Sequence, residues 1–355
     1  MFMLFYGKVN YVENTKDSKN ITKKKIENIF SDMDETKDYF SYKIVNGRIY
    51  TDYVEQVAVI DGNNLVSDVS FQQILGELKG AKHNIVLTKG TPRIKKKIKG
   101  RVLSLVQGAS GNNYYHWMFD ILPKMKLCSE HYPLKEINYF YASSLQDFQR
   151  QTLPMLDIDE KKFLSSESNR HIQANEIIVA DHPWYHEGYI RNQAELLPSW
   201  VVEWVRKTYL KHAKKFDCNE KVYIDRSESK YTHCQIQNDE EVSSFLLKKG
   251  FSKYKVGKLS FTEQIHLFNN AKIVIGAHGA ALTNLVFCKP DTDIIEIKPL
   301  EHPSISNYTN NNYKRISEIN NLNYNLIESK GLNENQKKFG DIYLSIDDLE
   351  KYIKN

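Results

Sequence analysis

A chain of 355 residues with 41% hydrophobic and 26% charged residues has the makeup of a globular protein, and its length points to two domains. A net charge of +5 admits an anionic ligand such as a nucleotide diphosphate or a lipid phosphate, and no RNA- or DNA-binding motif accompanies it. The four cysteines, Cys128, Cys218, Cys234 and Cys288, are scattered with no C-x-x-C pair. That excludes the usual zinc-site and disulfide frameworks and fits a reducing compartment.

In chain order, Met1–Tyr6 lacks the length and basic flank of a secretion signal, and no run is long enough to span a bilayer. A soluble, cytoplasmic protein is expected, with peripheral contact at the inner face of a membrane as an option. Residues 20–30 read as a short helix. Segments 54–60, 84–87 and 101–106, punctuated by Gly47, Gly62 and Gly90, read as strands and turns. The basic run 93–99 reads as a solvated edge or hairpin, with an anionic membrane as the alternative. Residues 114–130 form the first long helical pattern, apolar at Trp117, Ile121, Leu122, Met125 and Leu127, with Pro123 expected to kink or split it. A strand at 137–141, a helix at 145–156 and a strand at 176–180 continue an α/β alternation. The amphipathic helix 194–212 and the polar stretch after it make the expected connection between domains.

The second domain then alternates regularly: strand 221–224, helix 239–249 capped by Asn238 and ended at Gly250, strand 254–256, helix 262–270. A buried strand at 273–275, a glycine turn, a short helix at 280–287 stopped before Pro290 and a second buried strand at 294–297 follow. This is the pattern of a Rossmann-like half. Beyond Pro299 the chain is asparagine-rich, with a strand at 324–327 and a terminal helix at 346–353 expected to pack back on one of the domains.

The chemistry concentrates at that glycine turn. A helix start after a buried strand offers unpaired N–H groups and a positive dipole end, which favour a phosphate. His278, Thr283 and Asn284 add side-chain donors, and Gly276 and Gly279 permit close approach. The spacing is neither G-x-G-x-x-G nor a P-loop, which disfavours those two nucleotide sites. His116 and Asp120 stand four apart on a predicted helix and share a face, an arrangement suited to a general base as well as to an ordinary surface pair. Arg226 follows a strand and has the donor fork for a phosphate, with Lys230 near it; a surface ion pair is the alternative. Glu296 lies late in its strand, where an acid can accept from a ribose hydroxyl. The pair His182 and His186 lacks a third metal ligand, Asp291-Thr-Asp293 sits in a turn, and Gly108–Gly111 is not a serine-hydrolase elbow.

The segment His278-Gly-Ala-Ala-Leu-Thr-Asn284 resembles the H-G-A-G-L-T-N signature of glycosyltransferase family 61. Asn113-Tyr-Tyr-His-Trp-Met-Phe-Asp-Ile-Leu-Pro123 is similar to the family's N-Y-Y-H-W-x-x-D-x-L-P stretch. Tyr223-Ile-Asp-Arg-Ser227, with Asn238-Asp-Glu-Glu241 after it, looks like its Y-I-S-R-x…N-E-x-E region. The three run in the family's order over residues 108–299, with Ala281 in place of a glycine. The resemblance implies α/β architecture of GT-B type, two Rossmann-like domains facing a cleft, with extra strands near the N-terminus. The expected divisions are 1–193 for the acceptor side, 194–220 for the connection, 221–330 for the nucleotide-sugar domain and 331–355 for a tail and helix.

The implied reaction moves a hexose or pentose, with inversion and without metal or cofactor, from a nucleotide-sugar, in expectation a UDP-sugar. The acceptor is a saccharide or lipid-linked saccharide of capsule or lipopolysaccharide synthesis. Asp120 is implied as base with His116 as its partner, the two roles being exchangeable. Donor contacts are implied at Arg226, Gly276, His278, Gly279, Ala280, Ala281, Thr283, Asn284 and Glu296, and acceptor contacts at Asn113, Tyr115 and Trp117. A non-catalytic sugar- or nucleotide-binding module of the same fold, or another sugar-nucleotide enzyme such as an epimerase, is the alternative.

Overall fold

The structure, a computed structural model, describes residues 8–13, 18–27, 38–51, 57–74, 77–106, 113–184, 189–190, 197–227, 234–300 and 311–353. The expectations on Met1–Tyr6, Gly108–Gly111, His186 and Lys230 lie outside them, as do the first residues of the helix expected at 194. The chain divides into two compact units, Met1–Val205 and Arg206–Asn355. The division falls inside the helix Ser199–Tyr209, whose Trp200, Val201, Val205 and Tyr209 are buried.

Among the described residues the N-terminal unit carries a mixed sheet of ten strands. Four of them position the site: β1 (Tyr39–Val45), β2 (Lys96–Ser104), β3 (Tyr139–Ala142) and β4 (His171–Ala180). β4 pairs antiparallel with β1 and parallel with β2, and β3 adds parallel to β2. Val102, Ile172, Ile177 and Val179 are buried in one apolar cluster with Tyr42 and Ile44.

Two local expectations are corrected here. Within 20–30, residues Ile21–Ile26 form a strand, not a helix, pairing antiparallel with β1. The three lysines stay near water and Ile26 enters the core, so edge pairing decided what a short polar stretch left ambiguous. Residues 84–87 are likewise no strand. The Asn84 side chain donates to Val57 O at 2.8 Å and accepts from Val86 N at 3.2 Å, starting a helical turn, Val86–Lys89, that ends at Gly90 with φ +66°. Residues 96–99 of the basic run open β2, where among the described residues β4 alone pairs with it and the lysines stay solvated.

The helix spanning 114–129 packs on β1 and β4. It begins as an α-turn at Tyr114–His116, widens to a π-turn at Trp117–Ile121 and resumes as α-helix at Leu122–Ser129. Leu122 N donates to Trp117 O, five residues back. Pro123 has no N–H to give to the carbonyl four residues before it, and the widened turn accommodates that missing bond. Pro123 therefore splits the helix by one turn type, and Asp120 sits in the widened turn.

Among the described residues the C-terminal unit carries a parallel sheet of five strands: β5 (Lys221–Ile224), β6 (Ser252–Tyr254), β7 (Ile273–Ala277), β8 (Asp293–Pro299) and β9 (Asn323–Ser329). Their order is β6-β5-β7-β8-β9, all neighbours parallel. β7 is wholly buried, as its run of Ile and Val requires of a strand covered on both faces. The helix Asp239–Lys248 ends before Gly250, whose φ is +82°. Asn238 does not cap it with its side chain; it bonds instead to both the N–H and the carbonyl of Leu344. The tail thus belongs to this unit's core: Ile342, Leu344, Leu349 and Ile353 share one apolar cluster with Tyr223, Val242 and Ile275. The terminal helix is shorter than expected, Ile346–Glu350. A helix at Asn312–Ile319 was not foreseen in the asparagine-rich stretch; its buried Tyr313, Ile316 and Ile319 recur every third residue.

Candidate active site

Renumbered from the first strand of the C-terminal unit, the sheet order is 2-1-3-4-5, a doubly wound arrangement in which chain direction across the sheet reverses between β5 and β7. Ligands of such sheets bind beyond the carboxyl ends of the strands flanking that reversal. Arg226 stands two residues after β5, and His278–Gly279 follow β7 directly. The arginine Nη1 donates to His278 O, so the two strand ends are tied together. A Cβ on Gly279 would overlap the Arg226 guanidinium and displace it, so what the glycine provides here is close approach and not special backbone angles. Burial lowers the Arg226 pKa but leaves a guanidinium charged near neutral pH.

Gly276 lies in β7 itself, where a Cβ would be a tight fit, 3.0 Å from Ile224 Cδ1. It serves the packing of β5 on β7. Ala280–Phe287 is helical over the expected span, but wound as tight three-residue turns, with Leu282 N donating to Gly279 O at 2.9 Å. Ala280 is exposed and Ala281 half-buried. Thr283 and Asn284 are both 0% exposed. Asn284 bonds Gln264 and Ala281 O, while the Thr283 hydroxyl has no hydrogen-bond partner among the described residues. Their side chains face the interior of the unit, because a helix laid against the core must bury one side.

Glu296 is also 0% exposed. Its Oε1 accepts from His278 Nδ1 at 2.5 Å and its Oε2 from the Tyr324 hydroxyl at 2.6 Å. It sits in the middle of β8, opposite Gly276 in register, and not at the strand's end. Tyr313 O–H donates to Gly279 O at 2.8 Å, and its ring lies 5.2 Å from the His278 ring.

The N-terminal unit holds a second pair of the same construction. His116 Nδ1 lies 2.7 Å from Asp120 Oδ2, and Trp184 Nε1 donates to Asp120 Oδ1 at 2.6 Å. His182 accepts from Trp184 N through Nδ1 at 3.2 Å, which places its Nε2 4.0 Å from Asp120 Oδ2. Asp120 is 2% exposed and the His116 side chain 16%. One turn on, Lys124 is 1% exposed, and burial lowers its amine to about 8, with Cys128, Asp120 and Asp181 as the neighbours that oppose the change. His182, passed over in sequence as half of an incomplete metal pair, is thus part of the Asp120 surroundings, as is Trp184. Only a count of distant donors around Asp120 could have found them.

The expected acceptor residues stand differently. Asn113 caps the helix, its Oδ1 accepting from Tyr115 N at 2.9 Å. Tyr115 is 6% exposed and Trp117 1%, with Trp117 Nε1 donating to Thr152 Oγ1 at 3.0 Å. Trp117 belongs to the core of the unit. Both side chains are therefore buried in packing, and the acceptor contact expected of them stays an expectation.

A parallel α/β unit with cationic and N–H donors at its reversal point, in a chain whose other unit carries a histidine–carboxylate pair, has the parts of a group-transfer enzyme with a phosphorylated substrate. The chain belongs to the Glycosyltransferase 61 family, whose family model matches residues 114–295. It is 37% identical over 73 residues to Beta-1,2-xylosyltransferase RCN11 of Oryza sativa subsp. japonica, a match over 21% of this chain and 13% of that protein. Among solved structures, the iron-containing heptosyltransferase TibC in complex with ADP-D-beta-D-heptose aligns with 81% of this chain and 79% of its own at 13% identity. At a TM-score of 0.29 that is too loose a likeness to say more.

Proposed function

We propose that the chain transfers a sugar from a nucleotide-sugar, with a UDP-sugar as first choice, to a saccharide or lipid-linked saccharide, inverting the anomeric centre. The pathway of this reading is surface polysaccharide assembly, capsule or lipopolysaccharide, on the cytoplasmic side, and its architecture is of GT-B type. The observation that carries the reading is the meeting of Arg226, His278 and Gly279 at the reversal point of the parallel sheet. The donor diphosphate takes the Arg226 guanidinium, His278 and the N–H groups of Gly279, Ala280 and Ala281. Those donors are offered in place of a metal ion. Gly276, Thr283 and Asn284 hold the turn and helix in position from inside.

In the N-terminal unit we assign the base to His116 and not, as first expected, to Asp120. A carboxylate only accepts, so Nδ1 of His116 carries a hydrogen and Nε2 is left as the ring's basic nitrogen. Among the described residues nothing is bonded to that Nε2. Asp120 has a donor on each oxygen and acts by orienting His116.

Release of nucleoside diphosphate is the test. Purified protein is offered UDP-, GDP- and CMP-linked sugars with and without a saccharide acceptor, and with EDTA. Release that needs acceptor, persists in EDTA and is lost in Arg226→Ala supports the transferase. Binding of a sugar or nucleotide without turnover favours the non-catalytic module, and conversion of the sugar-nucleotide without acceptor favours an epimerase or hydrolase.

A further inference from the structure

Glu296 and Tyr324 form, with His278, a chain of hydrogen bonds that binding a diphosphate does not by itself require. Both of the glutamate's oxygens already accept, from His278 Nδ1 at 2.5 Å and from Tyr324 O–H at 2.6 Å, and none of its surface is exposed. Burial and the neighbouring carboxylate push the Tyr324 phenol far up, so it stays a donor. The carboxylate therefore fixes His278 with a hydrogen on Nδ1 and turns Nε2 to the opposite edge of the ring. The residue is held from three further sides: its N–H donates to Ile297 O at 2.7 Å, its carbonyl accepts from Arg226, and Tyr313 packs on its ring. Its side chain nevertheless keeps 11% exposure.

A buried carboxylate is costly unless a positive group balances it. Asp120 has the Lys124 amine among its neighbours, one helical turn away. Among the described residues, the groups hydrogen-bonded to Glu296 are the Tyr324 hydroxyl, which carries no charge, and the ring of His278, the contacting group whose chemistry can balance a carboxylate. We propose that Glu296, set in place by Tyr324, is a positioning residue that holds His278 as the donor to the leaving diphosphate, so that Glu296 itself touches no substrate. The proposal rests on the donor-site reading above. In the transfer step the acceptor oxygen bonds to the anomeric carbon as the bond from that carbon to the phosphate oxygen breaks. The electron pair stays on the phosphate, which accepts a hydrogen bond from Nε2–H of His278, and the acceptor's proton passes to His116.

The test uses inorganic pyrophosphate and UDP as probes by calorimetry, with kcat and KM for whichever sugar-nucleotide turns over. Glu296→Gln keeps the shape and an acceptor oxygen but removes the charge. It is expected to weaken pyrophosphate and UDP alike by about tenfold or more, and to lower kcat more than it raises KM. In a His278→Ala background the same change is expected to cost nothing further. Tyr324→Phe, which removes one hydroxyl, is expected to show a smaller loss of the same kind, and serves if Glu296→Gln does not fold. An undiminished penalty in the His278→Ala background, or a loss seen with UDP but not with pyrophosphate, means that Glu296 meets the ribose and overturns the proposal. If neither probe binds the unmodified protein, or if Arg226→Ala leaves binding intact, the donor-site reading itself falls.

Discussion

Replacing Lys124 by methionine should stabilise the protein, although it removes a charged group from beside Asp120. Lys124 is 1% exposed, and its amine is brought from 10.5 down to about 8 by burial. The attraction of Asp120, Asp181 and Cys128 is already included in that net change. At about 1.36 kcal/mol per pH unit, the charged amine costs the folded state roughly 3 kcal/mol at neutral pH. Methionine has a similar length and no charge to desolvate, and the loss of the Asp120 attraction is already counted in the net shift, so Lys124→Met should recover up to about 3 kcal/mol. For a unit of this size that is a rise in Tm of several degrees, at about 2–4 °C per kcal/mol.

The pH dependence follows from the sign of the shift. Between about 8 and 10.5 the unfolded chain keeps a proton on Lys124 that the folded chain has released, so the native protein gains stability from this group as pH rises. The advantage of the methionine variant should therefore be full below pH 8 and shrink toward pH 10. Differential scanning calorimetry of both proteins at pH 7, 8, 9 and 9.5 measures it. A lower Tm for the variant at pH 7, or a gap that does not change with pH, would refute the reasoning. Either result would mean that the amine is well paired where it lies.

Gly279→Ala places a methyl group into the Arg226 guanidinium, so nucleoside diphosphate affinity should fall at least tenfold by calorimetry while the melting temperature moves little. Trp184→Phe keeps the ring on His182 but leaves Asp120 Oδ1 without its donor; kcat should drop roughly tenfold or more, with the donor KM unchanged. His116→Gln should lower kcat by about 100- to 10,000-fold, as expected for a general base, with diphosphate affinity intact. Deleting residues 332–355 removes Ile342, Leu344, Leu349 and Ile353 from the core, and the truncated chain should fail to give a cooperative unfolding transition. A truncated chain that melts cooperatively would show the tail to be dispensable.

The sequence alone determined what is local. The unit of strand, glycine turn, helix and strand at 273–297 is legible because an apolar run, two glycines and Pro290 each act within a few residues of themselves. The His116–Asp120 pair is legible because a spacing of four puts both side chains on one helical face, and the structure joins them at 2.7 Å. Which faces look inward was not legible. Thr283, Asn284 and Trp117 read as donors or rings, and only packing against the rest of the unit shows them to be interior.

The strand order that puts Arg226 beside His278 is a property of the sheet. Residues 52 apart in the chain meet there because β5 and β7 are neighbours while β6 lies outside. Glu296 reaches His278 because the register sets it opposite Gly276, and Tyr324 reaches Glu296 from a strand with no motif in it. Trp184 reaches Asp120 from a position 64 residues away. Such partners are selected by register and burial, and neither is written in the spacing of the residues that they bring together.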